Sequence, residues 1–566
     1  MPGFFGIINN SCDIPPVEIP IGNYAPLVCD EKKGPRYYFK RHVNPKFLND
    51  KVFEEDGTTL IGTDGVIFNS RQLREKYQAG TNFTLIERMY SDNGINGISE
   101  LKGNFSGFLL DKKTSRLHLF TDHMGTKNVF YFFDEKEKYL VFGSELKTVV
   151  SALRTLAYVP SLSENGAYCL LTFGYMIGDT TLVNEIKRLP PGAILTYSDG
   201  KITLDRYYTF TTTPEITDSE DTIVKNLESL YSEAIKLEYD KDLEYNYSHA
   251  ATLSGGLDSR MNVMHAHRSG FLNLLCICFS QSNYLDEMIA KKIASDLGYD
   301  FIFHALDNGN FLKNIDEAVL VNDGLTFYAG AAHQQSTLKL LDWRKSGLLH
   351  TGVLWFGPWK ARSFHTPVNH EIIEEIGFSK KLLDEKRIRE LVIPQNYENE
   401  EIFCLYERGT NGLFNGYRVI EQFTEFSSPL HDKDFLAYAL RMPPKKNNYF
   451  FKKWIFSEIP EAAEYPWERD GMRINAAPWK RFVNRVFRFL QVKFLGTDFS
   501  MNPTDTWYAT NPGLRDVIGS YYTTNIRLLS GHPELMKDAQ KLFTEGTLIE
   551  KTQVLTLLAA MKLHSL

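Results

Sequence analysis

The sequence predicts a protein of the α/β and α+β classes, built from at least two domains. Its 566 residues exceed what one ordinary hydrophobic core accommodates. To about residue 210 the chain consists mainly of short apolar runs of strand length separated by turn residues. Beyond the polar connector "TTTPEITDSED", strand-length runs alternate with helical patterns, as in a parallel sheet. We therefore predict one domain over residues 1–210 and a second over residues 215–566.

The strands of the first domain are predicted from its apolar segments. Examples are "TTLIGTDGVIFN", "GNFSGFLLD", "SRLHLFTD" and "KYLVFGSEL". Each segment alternates or clusters apolar side chains over the length of one strand.

The second domain is predicted to begin with a helix. Apolar residues from Ile223 to Ile235 fall on one helical stripe, and Asp218 or Ser219 is positioned to cap it. The next segments alternate between strand and helix: "YNYSHAATLS", "RMNVMHAHRSG", "LNLLCICFS", "DEMIAKKIASDLG" and "DFIFHALD". Beyond about Glu371 the pattern is mainly helical.

The composition limits which binding partners and which cellular compartment are expected for this protein. The net charge is −7, so no overall positive field favours nucleic acid. The six cysteines lack metal-ligand spacing, and Cys276 and Cys278 are interpreted as core residues of a buried strand rather than a redox pair. No signal peptide is recognised, and no apolar run reaches about 18 residues. A cytoplasmic protein without a transmembrane segment is expected.

The strongest motif is "LSGGLDSR", between a predicted strand and a predicted helix. Ligands bind at such turns in open α/β sheets, and the helix N-terminus there attracts phosphate. Gly255 and Gly256 allow close backbone approach and positive φ, and Asp258 is suited to hold Mg²⁺. A glycine-rich turn without a ligand is the alternative. The residues predicted to bind ATP are Leu253, Ser254, Gly255, Gly256, Leu257, Asp258 and Ser259, with Asp258 as the metal ligand.

This loop resembles the pyrophosphate-binding loop of the ATP pyrophosphatases, and other segments are similar to the asparagine synthetases. The similar segments are "SNYLDEMIAKKIASDLGYDF", "SSPLHDKDFLAYALRMPP", "IPEAAEYPWERDG" and "NEIKRLPPGAILTYSDGKITLDRYY". In that family ATP activates a carboxylate as an acyl-adenylate, and an amine then displaces AMP. "GNFSGFLLD", "LFTDHMGTKNVFYF" and "FGSELKTVV" resemble the family's class II glutamine amidotransferase domain. The resemblance implies an N-terminal αββα sandwich of the Ntn-hydrolase type and an α/β ATP-pyrophosphatase domain.

The amidotransferase part departs from the family pattern where glutamine is hydrolysed. The family begins Met-Cys-Gly, and the exposed cysteine is the nucleophile, but this chain begins "MPGFFGIIN" with Pro2 in its place. Cys12 is no substitute, because it lacks a free α-amino group. Asp64, Gly65 and Val66 replace the family's asparagine–glycine–glutamate, and Thr81 and Asn82 replace its serine–aspartate pair. The anionic Asp64 opposes an oxyanion, so we expect that glutaminase activity is lost.

The synthetase part also departs from the pattern. The family places a second Mg²⁺-binding acid in a loop that corresponds to "GLLHTGVLWFGPWKARSFH", where aromatic residues such as Trp355 stand instead. Asp323 is a candidate substitute, although an ordinary turn aspartate is the favoured interpretation. Arg469 aligns with a catalytic lysine and keeps its positive charge. Arg260 either binds a phosphate or substrate carboxylate, or forms a salt bridge within the domain.

A basic segment, "WKRFVNRVFRFLQVKF", contains no acidic residue. Its cations are Lys480, Arg481, Arg485, Arg488 and Lys493. The favoured interpretation is a helix packed on its own domain with a solvated basic face. The alternative is an amphipathic helix for anionic lipid or an acidic partner.

Two functions follow from these patterns. The first is an AMP-forming ligase with ATP and Mg²⁺ that joins a small-molecule, saccharide or peptide carboxylate to ammonia or to an amine of the substrate. The resemblance to β-lactam synthetases and lasso-peptide cyclases, which have silenced glutaminase domains, favours it. The second is a catalytically silent scaffold. Sulfur transfer to tRNA is disfavoured by the absent basic field, and the oligomeric state stays open, with a homodimer as one option.

Overall fold

The computed structural model describes residues 3–9, 14, 27–353, 376–382, 397–443, 448–495 and 499–566. Pro2, Cys12 and Trp355 lie outside the described residues. The predicted mixed α/β architecture is confirmed, with antiparallel sheets in the first part of the chain and a parallel sheet later. The division at residues 210–215 stays a prediction. It falls between the last strand of the antiparallel sheets and a helix that begins at Glu220.

The first part folds into two antiparallel sheets. Their strands are β1 (Gly3–Ile8), β2 (Val28–Gly34), β3 (Tyr37–Val43), β4 (Phe53–Glu55), β5 (Thr59–Ile67), β6 (Gly103–Asp111), β7 (Arg116–Thr121), β8 (Phe130–Phe133), β9 (Leu140–Gly143), β10 (Lys187–Arg188), β11 (Ala193–Ser198) and β12 (Lys201–Arg206). The first sheet has the order β10-β8-β9-β1-β3-β2 and the second the order β12-β11-β7-β6-β5-β4.

The residues of strand β1 are apolar on both faces of the sheet because each face packs against a different core. Phe4 and Ile8 pack into the core between the two sheets, whereas Phe5 and Ile7 pack against helices on the outer face. This alternation is the period of two that a strand imposes on its side chains. The helices of this part are α1 (Ser70–Lys76), α2 (Asn82–Asn93), α3 (Leu146–Thr155) and α4 (Glu164–Phe173).

The second part is organised around a parallel sheet. Its strands are β13 (Ser248–Thr252), β14 (Leu274–Ser280), β15 (Asp300–Ala305), β16 (Ser346–His350) and β17 (Phe426–Ser427), in the order β15-β14-β13-β16-β17. The accompanying helices are α5 (Glu220–Glu244), α6 (Leu257–Arg268), α7 (Leu285–Leu297), α8 (Ile315–Asn322) and α9 (Ala329–Leu338). The three strands and two helices predicted in this region are confirmed. Ser219 is the cap of α5, and its hydroxyl accepts the backbone N–H of Thr222 at 3.2 Å.

Beyond the parallel sheet the described chain is mainly helical, as predicted. The further helices are α10 (Glu400–Cys404), α11 (Asn415–Tyr417), α12 (Lys433–Leu440), α13 (Tyr449–Glu458), α14 (Pro478–Leu495), α15 (Thr504–Thr510), α16 (Pro512–Asn525), α17 (Pro533–Glu545) and α18 (Leu548–His564). A π-helical stretch spans Leu405–Phe414, and 3₁₀ turns occupy Gly94–Glu100, Asp307–Lys313, Ile420–Gln422, Pro429–His431, Pro460–Glu464 and Ile526–Gly531. Strands β18 (Pro466–Trp467) and β19 (Met472–Arg473) form a hairpin.

The expectation that the basic helix α14 packs on its own domain is confirmed, but it packs through its polar side, so the expected solvated basic face is wrong. Arg481 and Asn484, on its polar side, bind Asp470 of the β18–β19 hairpin, and Arg488 donates to the carbonyl of Arg469 at 2.7 Å. Since the polar side holds the helix to the body, the apolar side faces outward. Phe482 is 65% exposed and Phe494 71%.

Two further expectations are tested by burial and helix length. Cys276 and Cys278 are buried in β14, so their interpretation as core residues is confirmed. Among the helices that the structure describes, none combines the length and the apolar character needed to cross a bilayer.

Candidate active site

The predicted nucleotide loop lies where the strand order of the parallel sheet reverses. The central strand β13 has β14 on one side and β16 on the other, so the chain leaves β13 at the topological switch point. Ligands bind at such points, beyond the carboxyl ends of the strands. The loop Leu253–Gly256 follows β13 directly, and α6 begins at Leu257. Gly352, two residues after β16, faces this loop from the neighbouring strand.

Hydrogen bonds within the loop fix its shape. The backbone N–H of Ser254 donates to the Ser259 hydroxyl at 3.1 Å, and the two serine hydroxyls lie 3.0 Å apart. The N–H of Gly256 donates to the Ser254 hydroxyl at 3.0 Å. The N–H of Gly255 donates to Oδ1 of Asp286 at 2.7 Å. The loop is therefore preorganised, with the N-terminus of the twelve-residue helix α6 at its end.

The glycines of the loop serve close packing rather than positive φ. The expectation that Gly255 and Gly256 adopt positive φ is wrong: Gly256 has φ −67°, and Gly255 is not among the left-handed residues. A Cβ on Gly255 would lie 2.8 Å from Cβ of Glu468. A Cβ on Gly352 would lie 2.3 Å from the backbone of Asp258 and Ser259. Glycine is favoured at Gly255 because side chains approach it closely, and at Gly352 because the backbone of the loop does.

Three carboxylates converge on the loop. Asp258, Asp286 and Glu468 line one cavity of about 320 Å³ together with the loop backbone. Burial raises the pKa of Glu468 to about 7, and the nearby Asp286 and Asp258 contribute to the same shift. Burial also raises the pKa of Asp286. Oε2 of Glu468 is buried and has no hydrogen-bond partner among the described residues. A cation at this point would satisfy that oxygen and relieve the repulsion among the acids.

The residues present fit Mg²⁺ and a triphosphate. Mg²⁺ favours carboxylate oxygens and is usually held by one or two of them together with phosphate oxygens and water. One or two of the three carboxylates that line this cavity, beside a phosphate-type loop, would supply such oxygens. The rest of the cavity is lined by residues that include Phe279, Val353, Tyr417 and Met501, which give an apolar wall suited to a planar base.

Arg260 stabilises the loop through hydrogen bonds to main-chain carbonyls. Its guanidinium is fully buried and donates to the carbonyls of Gly255 at 2.9 Å and Ala462 at 2.8 Å, and also to those of Tyr465 and Pro466. These bonds tie the nucleotide loop to the segment that carries Glu468. The carboxylate salt bridge weighed for Arg260 is thus replaced by hydrogen bonds to main-chain carbonyls, and direct contact with a phosphate stays a prediction.

The other predicted residues lie outside this cavity. Arg469 is exposed, its guanidinium is 5.5 Å from the centre of the Trp467 ring, and it lines a separate wide cleft beside α14. Asp323 is not a second metal ligand of this site. It is fully buried and accepts the N–H of Leu146 at 3.0 Å and the ammonium of Lys147 at 3.2 Å, so it binds the start of α3 in the first part of the chain.

Asp286 and Glu468 are functional candidates that the sequence reasoning missed. Asp286 follows β14 at the start of α7, on the edge of the sheet where the loop lies, so strand order gives a signal for it. Glu468 lies more than two hundred residues beyond the loop. It stands in the "WERDG" segment, directly before Arg469.

In the first part of the chain, the substituted pocket positions make structural contacts. Thr81 caps α2 through a reciprocal capping box with Thr84. The Asn82 amide donates to the carbonyl of Asn49 at 2.9 Å and to Asp50 at 2.8 Å. Gly65 takes a φ of +104° in β5.

Asp64 is buried beside the start of β1. Its Oδ2 lies 3.7 Å from where a Cβ on Gly3 would stand, and Ser144 fills the adjacent space, at 2.4 Å from that point.

Asp64 also borders a buried ionic network that joins the two parts of the chain. Lys127 lies 4.0 Å from Asp64 and binds Glu421 at 2.8 Å and Glu425 at 2.6 Å. Lys51 binds Glu425 from the other side at 2.6 Å. Burial lowers the pKa of Lys127, but the two glutamates outweigh it and raise that pKa. Burial alone would raise the pKa of Glu425, but Lys127 and Lys51 lower it to about 2.

Comparison with known proteins points to one family. A glutamine amidotransferase domain model matches residues 49–208. A Methanocaldococcus jannaschii protein named as a glutamine-hydrolysing asparagine synthetase is 25% identical over 222 residues, which are 37% of this chain and 41% of that protein. A protein of Acanthamoeba polyphaga mimivirus with the same type of name is 24% identical over 253 residues, 44% of this chain and 43% of that protein.

The chain thus spans about two fifths of the length of these two curated relatives. Among solved structures, a glutamine phosphoribosylpyrophosphate amidotransferase from B. subtilis is 10% identical, covers 48% of this chain and 52% of its own, and has a TM-score of 0.22. That superposition is too low to support an argument about the fold. Residues 49–208 thus match a glutamine amidotransferase domain, and parts of the chain are similar, at 24–25% identity, to proteins named as asparagine synthetases.

Proposed function

We propose that this chain is an AMP- and pyrophosphate-forming ligase of the asparagine synthetase type that works without glutamine hydrolysis. The observation that carries the proposal is the convergence of Asp258, Asp286 and Glu468 on the "LSGGLDSR" loop at the switch point of the parallel sheet. Burial raises the pKa values of Asp286 and Glu468, and carboxyls shifted in this way within a cavity are typical of functional sites.

In the proposed first step, a carboxylate oxygen of the substrate attacks the α-phosphorus of ATP. The bond from the α-phosphorus to the bridging oxygen breaks, and pyrophosphate leaves. Mg²⁺, when bound, offsets the negative charge on the phosphates and the leaving group. The Ser254 and Ser259 hydroxyls and the N-terminus of α6 hold the phosphates in place. Asp258, Asp286 and Glu468 are the residues that would hold the metal.

In the proposed second step, an amine attacks the acyl carbon, and the bond to AMP breaks. Arg469 carries a fixed positive charge on the next residue after Glu468, and we propose that it stabilises the charge that develops here once substrate closes the cleft. The nitrogen is free ammonia or an amine of the substrate. Pro2, Asp64 and the buried network around Lys127 support the loss of glutaminase chemistry.

The test is carboxylate-dependent exchange of pyrophosphate into ATP with Mg²⁺, screened over amino acids, uronic acids and peptides. Exchange that needs one carboxylate is expected to vanish in Asp258→Ala. The matched control is Asp300→Ala, at an exposed aspartate on β15 outside the cavity, which should leave exchange unchanged. Equal exchange in wild type and Asp258→Ala would overturn the proposal.

A nucleotide-binding scaffold is the second candidate. It is favoured by the sequence between His350 and His365, which contains no aspartate or glutamate at the position of the family's second acidic loop. Calorimetry separates the two candidates. ATP binding without exchange for any carboxylate supports the scaffold, and the absence of ATP binding rules out the ligase.

A further inference from the structure

Helix α14 presents an apolar face that is exposed in the part of the chain that the structure describes. At about 100° per residue, its large apolar side chains fall on one side of the helix. They are Trp479, Phe482, Val483, Val486, Phe487, Phe489, Leu490 and Phe494, each between 43% and 71% exposed. A contiguous exposed patch of this kind marks an interaction surface rather than ordinary surface variation.

The opposite side of α14 attaches the helix to the body. Arg481 donates to the carbonyl of Arg473 at 2.8 Å and binds the carboxylate of Asp470. Asn484 donates to the carbonyl of Asp470 at 2.6 Å, one helical turn further along. The outward orientation of the apolar face is therefore fixed by contacts on the polar side.

The positive charge of α14 favours an anionic lipid surface over a second copy of the helix as the partner of this face. The segment 478–495 contains five cations and no acidic residue. Lys480 and Arg485 project from the two edges of the apolar face, and Lys493 lies near its end. All three are exposed. A second copy of α14 would bring two sets of cations together, whereas anionic headgroups would meet cations on both edges.

We propose that α14 binds the surface of an anionic membrane and lies parallel to it. The aromatic residues enter the boundary between headgroups and acyl chains, and Lys480, Arg485 and Lys493 contact the headgroup charge. With 18 residues, α14 is about 27 Å long, and its five charges keep it at the interface rather than across the bilayer. The proposal uses none of the residues that line the nucleotide cavity, although Phe482, Arg485 and Phe489 line the same wide cleft as Arg469.

The helix would also bring the nucleotide cavity close to the membrane surface. The β18–β19 hairpin that holds α14 through Asp470 carries Glu468 on its other side, against Gly255. The same short hairpin thus contacts both the membrane-binding helix and the nucleotide loop.

The test is co-sedimentation of the full chain with vesicles of phosphatidylcholine, alone or mixed equally with phosphatidylglycerol. Binding is expected only with phosphatidylglycerol, and it should weaken as salt rises. The triple variant Phe482→Ser/Phe487→Ser/Phe489→Ser is expected to lose at least about tenfold in affinity. Removing the edge cations in Lys480→Gln/Arg485→Gln/Lys493→Gln should lose about a hundredfold, since each cation near an anionic surface contributes about fivefold.

The matched control is Leu204→Ser/Leu272→Ser/Leu340→Ser, which changes three exposed leucines elsewhere and should bind as the wild type does. All of the substituted side chains are exposed, so the variants are expected to fold, which thermal melting verifies. Equal binding to both vesicles, or full binding by the phenylalanine variant, would refute the proposal. A dimer in sedimentation that the phenylalanine variant abolishes, without vesicle binding, would assign the face to a second copy instead.

Discussion

Replacing Glu468 with glutamine is expected to stabilise the metal-free protein at alkaline pH. The pKa of this carboxyl is raised from an ordinary 4.5 to about 7, mainly by burial and then by Asp286. A carboxyl whose pKa is higher in the folded state loses stability as the pH rises, because the folded state must release its proton at a cost. The penalty starts near pH 4.5 and is complete above pH 7. At about 1.4 kcal/mol per pH unit it reaches about 3 kcal/mol at pH 8 and only about 1 kcal/mol at pH 5.5.

Thermal melting without divalent metal measures this difference. Glu468→Gln should melt about 3–6 °C above the wild type at pH 8, and much less above it at pH 5.5. Added Mg²⁺ should raise the melting temperature of the wild type more than that of the variant, because it compensates the charge that the variant lacks. The matched control is Glu464→Gln, an exposed glutamate paired with Arg473 at 2.8 Å, which should change little at either pH. The same gain at both pH values would refute the reasoning.

Three other predictions follow from particular contacts. Gly352→Ala should abolish ATP binding in calorimetry while the fold is kept, because its Cβ would stand 2.3 Å from the backbone of the nucleotide loop; unchanged affinity would contradict the close approach. Lys127→Met should destabilise the protein by about 3–5 kcal/mol in urea unfolding, since it leaves Glu421 and Glu425 buried without their shared cation; a loss below about 1 kcal/mol would show that the network is solvated. Pro2→Cys alone should release no glutamate from glutamine, because the carboxylate of Asp64 replaces the asparagine that would stabilise an oxyanion; measurable glutamate would show that the pocket survives.

Local patterns predicted the parts of the fold that local forces determine. The Ser219 cap, strands β13 to β15 and the core positions of Cys276 and Cys278 follow from neighbouring residues. The side of α14 that faces the protein does not. Its amphipathic period is visible in the sequence, but the attachment of its polar side depends on Asp470, which lies in a separate hairpin.

The nucleotide site also combines a part that local sequence predicts with a part that depends on distant segments. The loop from Ser254 to Ser259 could be predicted because one strand and one helix create it. Arg260 donates to four main-chain carbonyls and so holds the segment that carries Glu468 against the loop. No spacing in the sequence reveals this contact. The role of Gly255 likewise depends on side chains distant in sequence, Glu468 and Asp286, and the expected positive φ did not occur at Gly255 or Gly256.

The buried acids of the two parts of the chain have opposite electrostatic environments. Glu425 lies within 2.6 Å of Lys127 and of Lys51, and its pKa is held at about 2. Such a charge is already paired, and it ties the two parts of the chain together.

Glu468 stands beside Asp258 and Asp286, and the buried cation next to it, Arg260, donates to main-chain carbonyls. Burial and Asp286 raise the pKa of Glu468 to about 7, and the opposing effect of Arg260 does not cancel the shift. A protein that needed these acids only for its structure would gain stability by pairing or removing them. The acids that line the cavity at the switch point are therefore the better guide to function, and they support the proposal that the chain binds a nucleotide at this loop.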